Sequence, residues 1–111
     1  MDKDNQQLKK GQELVSRNGR FRVKMQEDGN LVLYAGENTR LWQSDTVDRG
    51  EYAMFDEGDF KVLGESQTLF RTGTNRVGDY LVCQNDGNLV VYSSDGVIRW
   101  SSNTFQRLFF I

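Results

Sequence analysis

Apolar and polar residues alternate on either side of a bend at two places in this chain. Val23-Lys24-Met25-Gln26 runs into Glu27-Asp28-Gly29-Asn30, and Leu31-Val32-Leu33-Tyr34 runs out. Asp-Gly and Gly-Asn are turn signals, because Gly accepts positive φ and Asp or Asn bonds its own local backbone. The pattern therefore predicts a β-hairpin. Alternation with period two sends Leu31 and Leu33 to one face, the core, and Val32 and Tyr34 to the other. Gln26 comes opposite or diagonal to Val32, so amide, turn carboxylate, turn amide, methyls and phenol share one small polar site floored by Val.

The same residue types recur. Gln26 to Tyr34 and Gln84 to Tyr92 both read QxDGNLVxY, and midway between them Phe55 to Leu63 is a damaged third copy. A constant spacing of 29 residues means three copies of one supersecondary unit, each too small to bury its own apolar face. The chain divides into units at about 8–46, 47–74 and 75–104, followed by a tail at 105–111. Leu8 to Arg17 with a bend at Gly11 opens the first unit, and Asn18-Gly19 turns it into Phe21-Arg22-Val23-Lys24-Met25. Every unit closes on an aromatic with Thr four residues on: Trp42 and Thr46, Phe70 and Thr74, Trp100 and Thr104. Turn signals about every ten residues, with no 3.6 period, predict an all-β domain of roughly a dozen short strands. Closure around a pseudo-threefold axis places Trp42, Phe70 and Trp100 near that axis as core rather than as stacking platforms for a ligand.

Composition narrows the partners. With 111 residues the chain is one domain, 1–111, and 37% hydrophobic content with 12% aromatic is low but foldable. A net charge of −2 without runs of like charge excludes a footprint for nucleic acid or an anionic membrane. No apolar stretch follows Met1 and none is long enough to insert in a membrane, so neither signal peptide nor span is expected. The expected location is cytoplasmic, or outside by a non-classical export route. The lone Cys83 cannot form an intrachain disulfide and reads as a small core residue. His is absent, which removes the commonest general base and metal ligand.

The two intact motifs carry a family resemblance. Gln26, Asp28, Asn30, Val32 and Tyr34, and again Gln84, Asp86, Asn88, Val90 and Tyr92, match the QxDxNxVxY signature of the bulb-type mannose-binding lectins related to snowdrop lectin. With the W-x-x-x-T closings, the similarity covers nearly the whole chain. It implies a β-prism II fold of three four-stranded units, no catalysis, no metal, no cofactor, and recognition of α-mannose or mannose-rich glycans at each intact motif. Asp86 and Asn88 would read the axial 2-hydroxyl as acceptor and donor, Gln84 the 3-hydroxyl, Tyr92 the 4-hydroxyl, and Val90 the ring carbons. Gln26, Asp28, Asn30, Tyr34 and Val32 would do likewise. In the middle unit Phe55, Asp59, Lys61 and Leu63 depart from the motif, and no mannose is expected there. Plant members staple one hairpin with a disulfide beginning at the position of Gly29, which this chain lacks.

The resemblance also implies a homodimer formed by exchange of the C-terminal strand. The apolar tail from Phe105 to Ile111 agrees, since it needs cover from its own first sheet or from a partner chain. The other reading is a protein-interaction module that keeps the fold for its surface, as in lectin-like bacteriocins or cytoskeleton-associated relatives. An enzyme is disfavoured. Asp56, Glu57 and Asp59 sit at a hairpin tip where acids are solvated, and no His stands ready to activate a Ser.

Overall fold

A computed structural model describes residues 1, 6–74 and 79–106. Its strands are β1 (Gln7–Lys9), β2 (Glu13–Val15), β3 (Phe21–Met25), β4 (Leu31–Ala35), β5 (Thr39–Gln43), β6 (Tyr52–Asp56), β7 (Asp59–Leu63), β8 (Thr68–Arg71), β9 (Tyr80–Cys83), β10 (Leu89–Tyr92) and β11 (Ile98–Ser101). They form three antiparallel sheets in the orders β2-β3-β4-β5, β1-β6-β7-β8 and β11-β10-β9. Each repeat supplies one hairpin and a third strand. The register slips at the equivalent place in all three, between Leu33 and Tyr34, Val62 and Leu63, and Val91 and Tyr92.

The alternation read from the sequence is the alternation of burial. Along β3, Phe21, Val23 and Met25 are buried while Arg22 and Lys24 are half-buried on the opposite face. Leu31, Leu33, Phe55, Phe60, Val62, Leu81, Leu89 and Val91 join them in one shared core. Trp42, Phe70 and Trp100 stand opposite Leu33, Val62 and Val91. Their rings meet edge-on with centroids 5.3, 5.5 and 6.0 Å apart. The three sheets thus converge on an aromatic triad, and each such ring pair adds about 0.5 to 1.5 kcal/mol beyond its buried area. Cys83 is a free buried thiol whose burial raises its pKa to about 11.

The outer strands are allotted differently from the sequence reading. Leu8, expected to open the first unit, pairs opposite Ala53 instead, so β1 completes the second sheet and β2 takes the matching place beside β3. Gly11 at φ 89° bends the chain between them, which frees the two short segments to join different sheets. Leu8 is thereby buried in the common core. Three four-stranded units were expected; the third sheet has three strands among the described residues. The outer edge of β9 bonds Met1, with Leu81 N donating to Met1 O at 2.7 Å and the Met1 amino group donating to Leu81 O at 3.0 Å. Phe105 and Gln106 carry no strand. Residues 107–111, and with them the proposed strand exchange, lie outside the described residues, as do residues 75–78 at the start of the third unit.

Candidate functional site

The two intact motifs fold into the same tight turn. Gln26 N donates to Asn30 O at 2.9 Å and Gly29 N to Gln26 O at 3.0 Å; in the third unit Gln84 N donates to Asn88 O at 3.0 Å and Gly87 N to Gln84 O at 3.1 Å. Gly29 and Gly87 sit at φ 91° and 88°, a region that costs any residue with a β carbon. Asp28 Oδ1 accepts Asn30 N at 2.9 Å and Asp86 Oδ1 accepts Asn88 N at 3.0 Å. Each carboxylate is therefore pinned at the tip through one oxygen, and Asp86 Oδ2 also lies 3.3 Å from Gln84 Nε2.

That turn gathers side chains eight positions apart. Gln26 Nε2 donates to the Tyr34 hydroxyl. In the third unit the Tyr92 hydroxyl donates to Gln84 Oε1, and Gln84 Nε2 donates to Asp86 Oδ1 at 3.1 Å. Gln26 lies diagonal to Val32, whose direct partner is Lys24. Its Oε1 is buried and finds no hydrogen-bond donor among the described residues. Turning this amide over would give Gln26 Oε1 the tyrosine hydroxyl as donor, the arrangement that Gln84 and Tyr92 adopt. Val32 and Val90 are fully buried, so they shape the base of each site from beneath.

The motif asparagines do more than the sequence showed. Asn30 Oδ1 accepts Ser44 Oγ at 3.2 Å and Thr46 N at 3.1 Å, while Thr46 Oγ1 donates to Gly29 O at 2.7 Å. Asn88 Oδ1 accepts Ser102 Oγ at 3.1 Å and Thr104 N at 3.2 Å, and Thr104 Oγ1 donates to Gly87 O at 2.7 Å. Hydroxyls two residues apart, Ser44 and Thr46, Thr72 and Thr74, Ser102 and Thr104, thus clamp each turn from just past the end of the following strand. Sequence reading noticed the threonines and missed Ser44, Thr72 and Ser102, although the recurring hydroxyl-x-Thr ending was there to be found. It also missed Asn18, whose N donates to Asn85 Oδ1 at 2.9 Å and whose Nδ2 donates to Asn85 O at 3.0 Å. Those bonds tie the third-unit turn to the first-unit hairpin.

The two intact sites differ in their free donor. Asn30 Nδ2 is spent on Gln43 Oε1 at 2.8 Å. The equivalent strand position opposite Val90 is Ser101, whose Oγ donates to Asn88 Oδ1 at 2.9 Å and leaves Asn88 Nδ2 unengaged among the described residues.

In the middle unit Phe55 is buried against Phe60, with ring centroids 5.3 Å apart, and Lys61 Nζ pairs with Asp56 Oδ2 at 2.9 Å. Asp59 keeps the structural half of the asparagine's role, its Oδ1 accepting Thr72 Oγ1, Gly73 N and Thr74 N at 3.0, 2.7 and 3.2 Å. Its Oδ2 makes no well-directed hydrogen bond but lies 3.1 Å from Arg71 Nε as an ion pair. Arg71 occupies the position of Gln43. An amide pair in the first unit has become a carboxylate–guanidinium pair in the second; the motif's glutamine and tyrosine are replaced by Phe55 and Leu63, and Glu57 stands exposed at the turn in place of Asp28. Among the described residues no group of three or more His, Cys, Asp or Glu is placed to hold a metal ion.

No protein-family model matches the chain. Over 106 residues, 89% of this chain and 90% of its relative, it is 33% identical to the B-type lectin plumieribetin of Scorpaena plumieri. The chain belongs to the bulb-type lectin family. Mannose-specific lectin 1 of Colocasia esculenta is 40% identical over 83 residues, which is 69% of this chain and 30% of that protein. The bulb-type lectin chain therefore spans less than a third of that relative's length. Among solved structures, a Marasmius oreades lectin superposes with a TM-score of 0.84 at 30% identity, over 91% of this chain and 87% of the other. The fold is the β-prism II of these lectins, and the bulb-type lectin is a carbohydrate-binding protein rather than an enzyme.

Proposed function

We propose that this lectin binds terminal α-D-mannose at the two turns carrying Asp28 and Asp86. The observation that carries the reading is the repeated grouping of a turn carboxylate, Asp28 or Asp86, with a bonded glutamine–tyrosine pair, Gln26 with Tyr34 and Gln84 with Tyr92. In the third unit Asn88 Nδ2, unengaged among the described residues, adds a donor beside the Asp86 acceptor. An acceptor next to a donor suits the axial 2-hydroxyl of mannose, which both gives and takes a hydrogen bond. Tyr92, tied to Gln84, is left to meet the 4-hydroxyl. The name of the Colocasia relative, a mannose-specific lectin, supports the same sugar.

One shallow site of this kind binds a monosaccharide at about millimolar strength, roughly −4 kcal/mol. Two sites on one rigid chain raise the effective affinity for a mannose-rich surface through avidity. A dimer would double the count. Retention on a mannan column tests the reading. Wild type should be retained, Asp28→Ala and Asp86→Ala should each elute earlier, and the double variant should flow through. A folded wild-type chain that ignores mannan sinks it.

A further inference from the structure

We propose that the two sites read different sugars: the first takes mannose bearing a phosphate on carbon 6, and the third takes neutral mannose. The inference rests on the mannose reading above and concerns what surrounds each motif. Val32 is flanked in register by Lys24 and Gln43, and Tyr34 by Arg22 and Arg40. Val90 is flanked by Val82 and Ser101, and Tyr92 by Tyr80 and Ile98. Cross-strand partners project from the same face of a sheet. One motif is thus ringed by three cations and an amide. Its twin is ringed by apolar, aromatic and hydroxyl groups.

The cations cluster at one end of the first site. The Arg22 guanidinium carbon lies 4.8 Å from the Tyr34 ring centroid and that of Arg40 lies 5.9 Å away. Arg22 is partly neutralised, since its Nη1 meets Glu13 Oε2 at 3.1 Å. Arg40 and Lys24 make no ion pair among the described residues; Arg40 Nη1 donates to the neutral Gln43 Oε1 at 2.8 Å. In the third unit Tyr92 stacks instead on Tyr80, with centroids 5.6 Å apart. With the 4-hydroxyl at Tyr34, carbon 6 hangs from the ring atom next to carbon 4 and points among these cations. Carbon 1 adjoins carbon 2 and stays beside the Asp28 carboxylate, which repels an anion there. Position on the sugar therefore matters as well as charge.

The test isolates each site with the other disabled, using heteronuclear NMR titrations of the full chain. The Asp86→Ala chain reports the first site and the Asp28→Ala chain the third; the probes are mannose, mannose 6-phosphate and mannose 1-phosphate. On the first site mannose 6-phosphate should bind roughly threefold to tenfold more tightly than mannose at low salt, and mannose 1-phosphate no more tightly than mannose. The preference should shrink at about 1 M salt, where the Debye length is about 3 Å. Lys24→Gln with Arg40→Gln should bring the ratio of 6-phosphate to mannose affinity toward one, and the third site should show no preference at any salt. Equal ratios at the two sites, or a preference indifferent to salt and to the double substitution, overturn the inference while leaving mannose binding intact. Absence of mannose binding at both sites overturns the underlying reading as well.

Discussion

Thr46 N donates to Asn30 Oδ1 at 3.1 Å across a separation of sixteen residues. The bond joins the tip of the first-unit hairpin to the segment leaving it. The same asparagine that looked like a sugar ligand in the sequence is thus a structural bracket, and its counterparts Asp59 and Asn88 accept Thr74 N and Thr104 N in the same way.

Asn30→Ala should therefore cost stability as well as binding. Asn30 is fully buried, and its removal strands the Thr46 N–H, while the Ser44 hydroxyl keeps Thr46 Oγ1 at 2.8 Å. Urea unfolding should show a loss of about 1 to 3 kcal/mol, the cost of one buried unpaired group. Asn88→Ala, at a half-buried position, should lose less. A purely ligand-contacting role for Asn30 would leave its unfolding midpoint unmoved.

Gly50 belongs to the second unit yet supports the first-unit site. A β carbon there would collide with Gly29 O and come within 3.0 Å of Gly29 C and 3.1 Å of Met25 Cε. Backbone cannot move aside as a side chain does, so Gly50→Ala should destabilise the chain by about 2 to 4 kcal/mol. The surviving fold should lose sugar-induced NMR shifts around Asp28 before those around Asp86. Equal loss at both turns would show that Gly50 acts on the fold alone.

Asp59 and Arg71 lend themselves to a double-mutant cycle. The Asp59 side chain is 1% exposed and Arg71 57% exposed. Arg71→Gln leaves a buried carboxylate without its counter-charge and should cost about 1 to 2 kcal/mol, modest because solvent reaches the arginine. Asp59→Asn combined with Arg71→Gln recreates the Asn30–Gln43 pairing, so the double variant should unfold at higher urea than Arg71→Gln alone. Additive losses would deny the coupling.

Cys83 gives the fold a pH dependence of known sign. Burial lifts its thiol from 9.0 to about 11, against the weaker opposing hydrogen bonds from the Ser16 and Val23 backbone. Below pH 9 both folded and unfolded chains hold the proton. Between 9 and 11 only the folded chain keeps it, so this group's contribution is full below pH 9 and fades as pH rises through 11. Relative to Cys83→Ala, the wild type should lose about 2 to 3 kcal/mol across that window. A stability difference that stays flat with pH would mean the thiol titrates normally when folded. The native thiol should also react slowly with alkylating reagents, speeding up only in denaturant.

Much of the architecture was legible because it is local. Asp-Gly-Asn turn chemistry and period-two alternation act over a few residues, and both fixed the hairpins of all three units, including the one whose motif has decayed. The 29-residue spacing then implied like faces meeting, and Trp42, Phe70 and Trp100 do meet. The decay of the middle site was equally plain, since a buried Phe55 has nothing to donate wherever it sits.

What the chain's own order determined, then, was the unit, its turns, its aromatic closings and the ten side chains gathered at two bends. Only the tertiary structure decided that β1 completes the second sheet, that Asn18 holds Asn85, and that Asn30 Nδ2 is spent on Gln43 while Asn88 Nδ2 is unengaged among the described residues. The reason is distance along the chain. Outer-strand pairing and amide partnerships are chosen among residues thirteen to sixty-seven positions apart, where no local preference votes and the outcome depends on which buried polar groups the assembled sheets leave within reach.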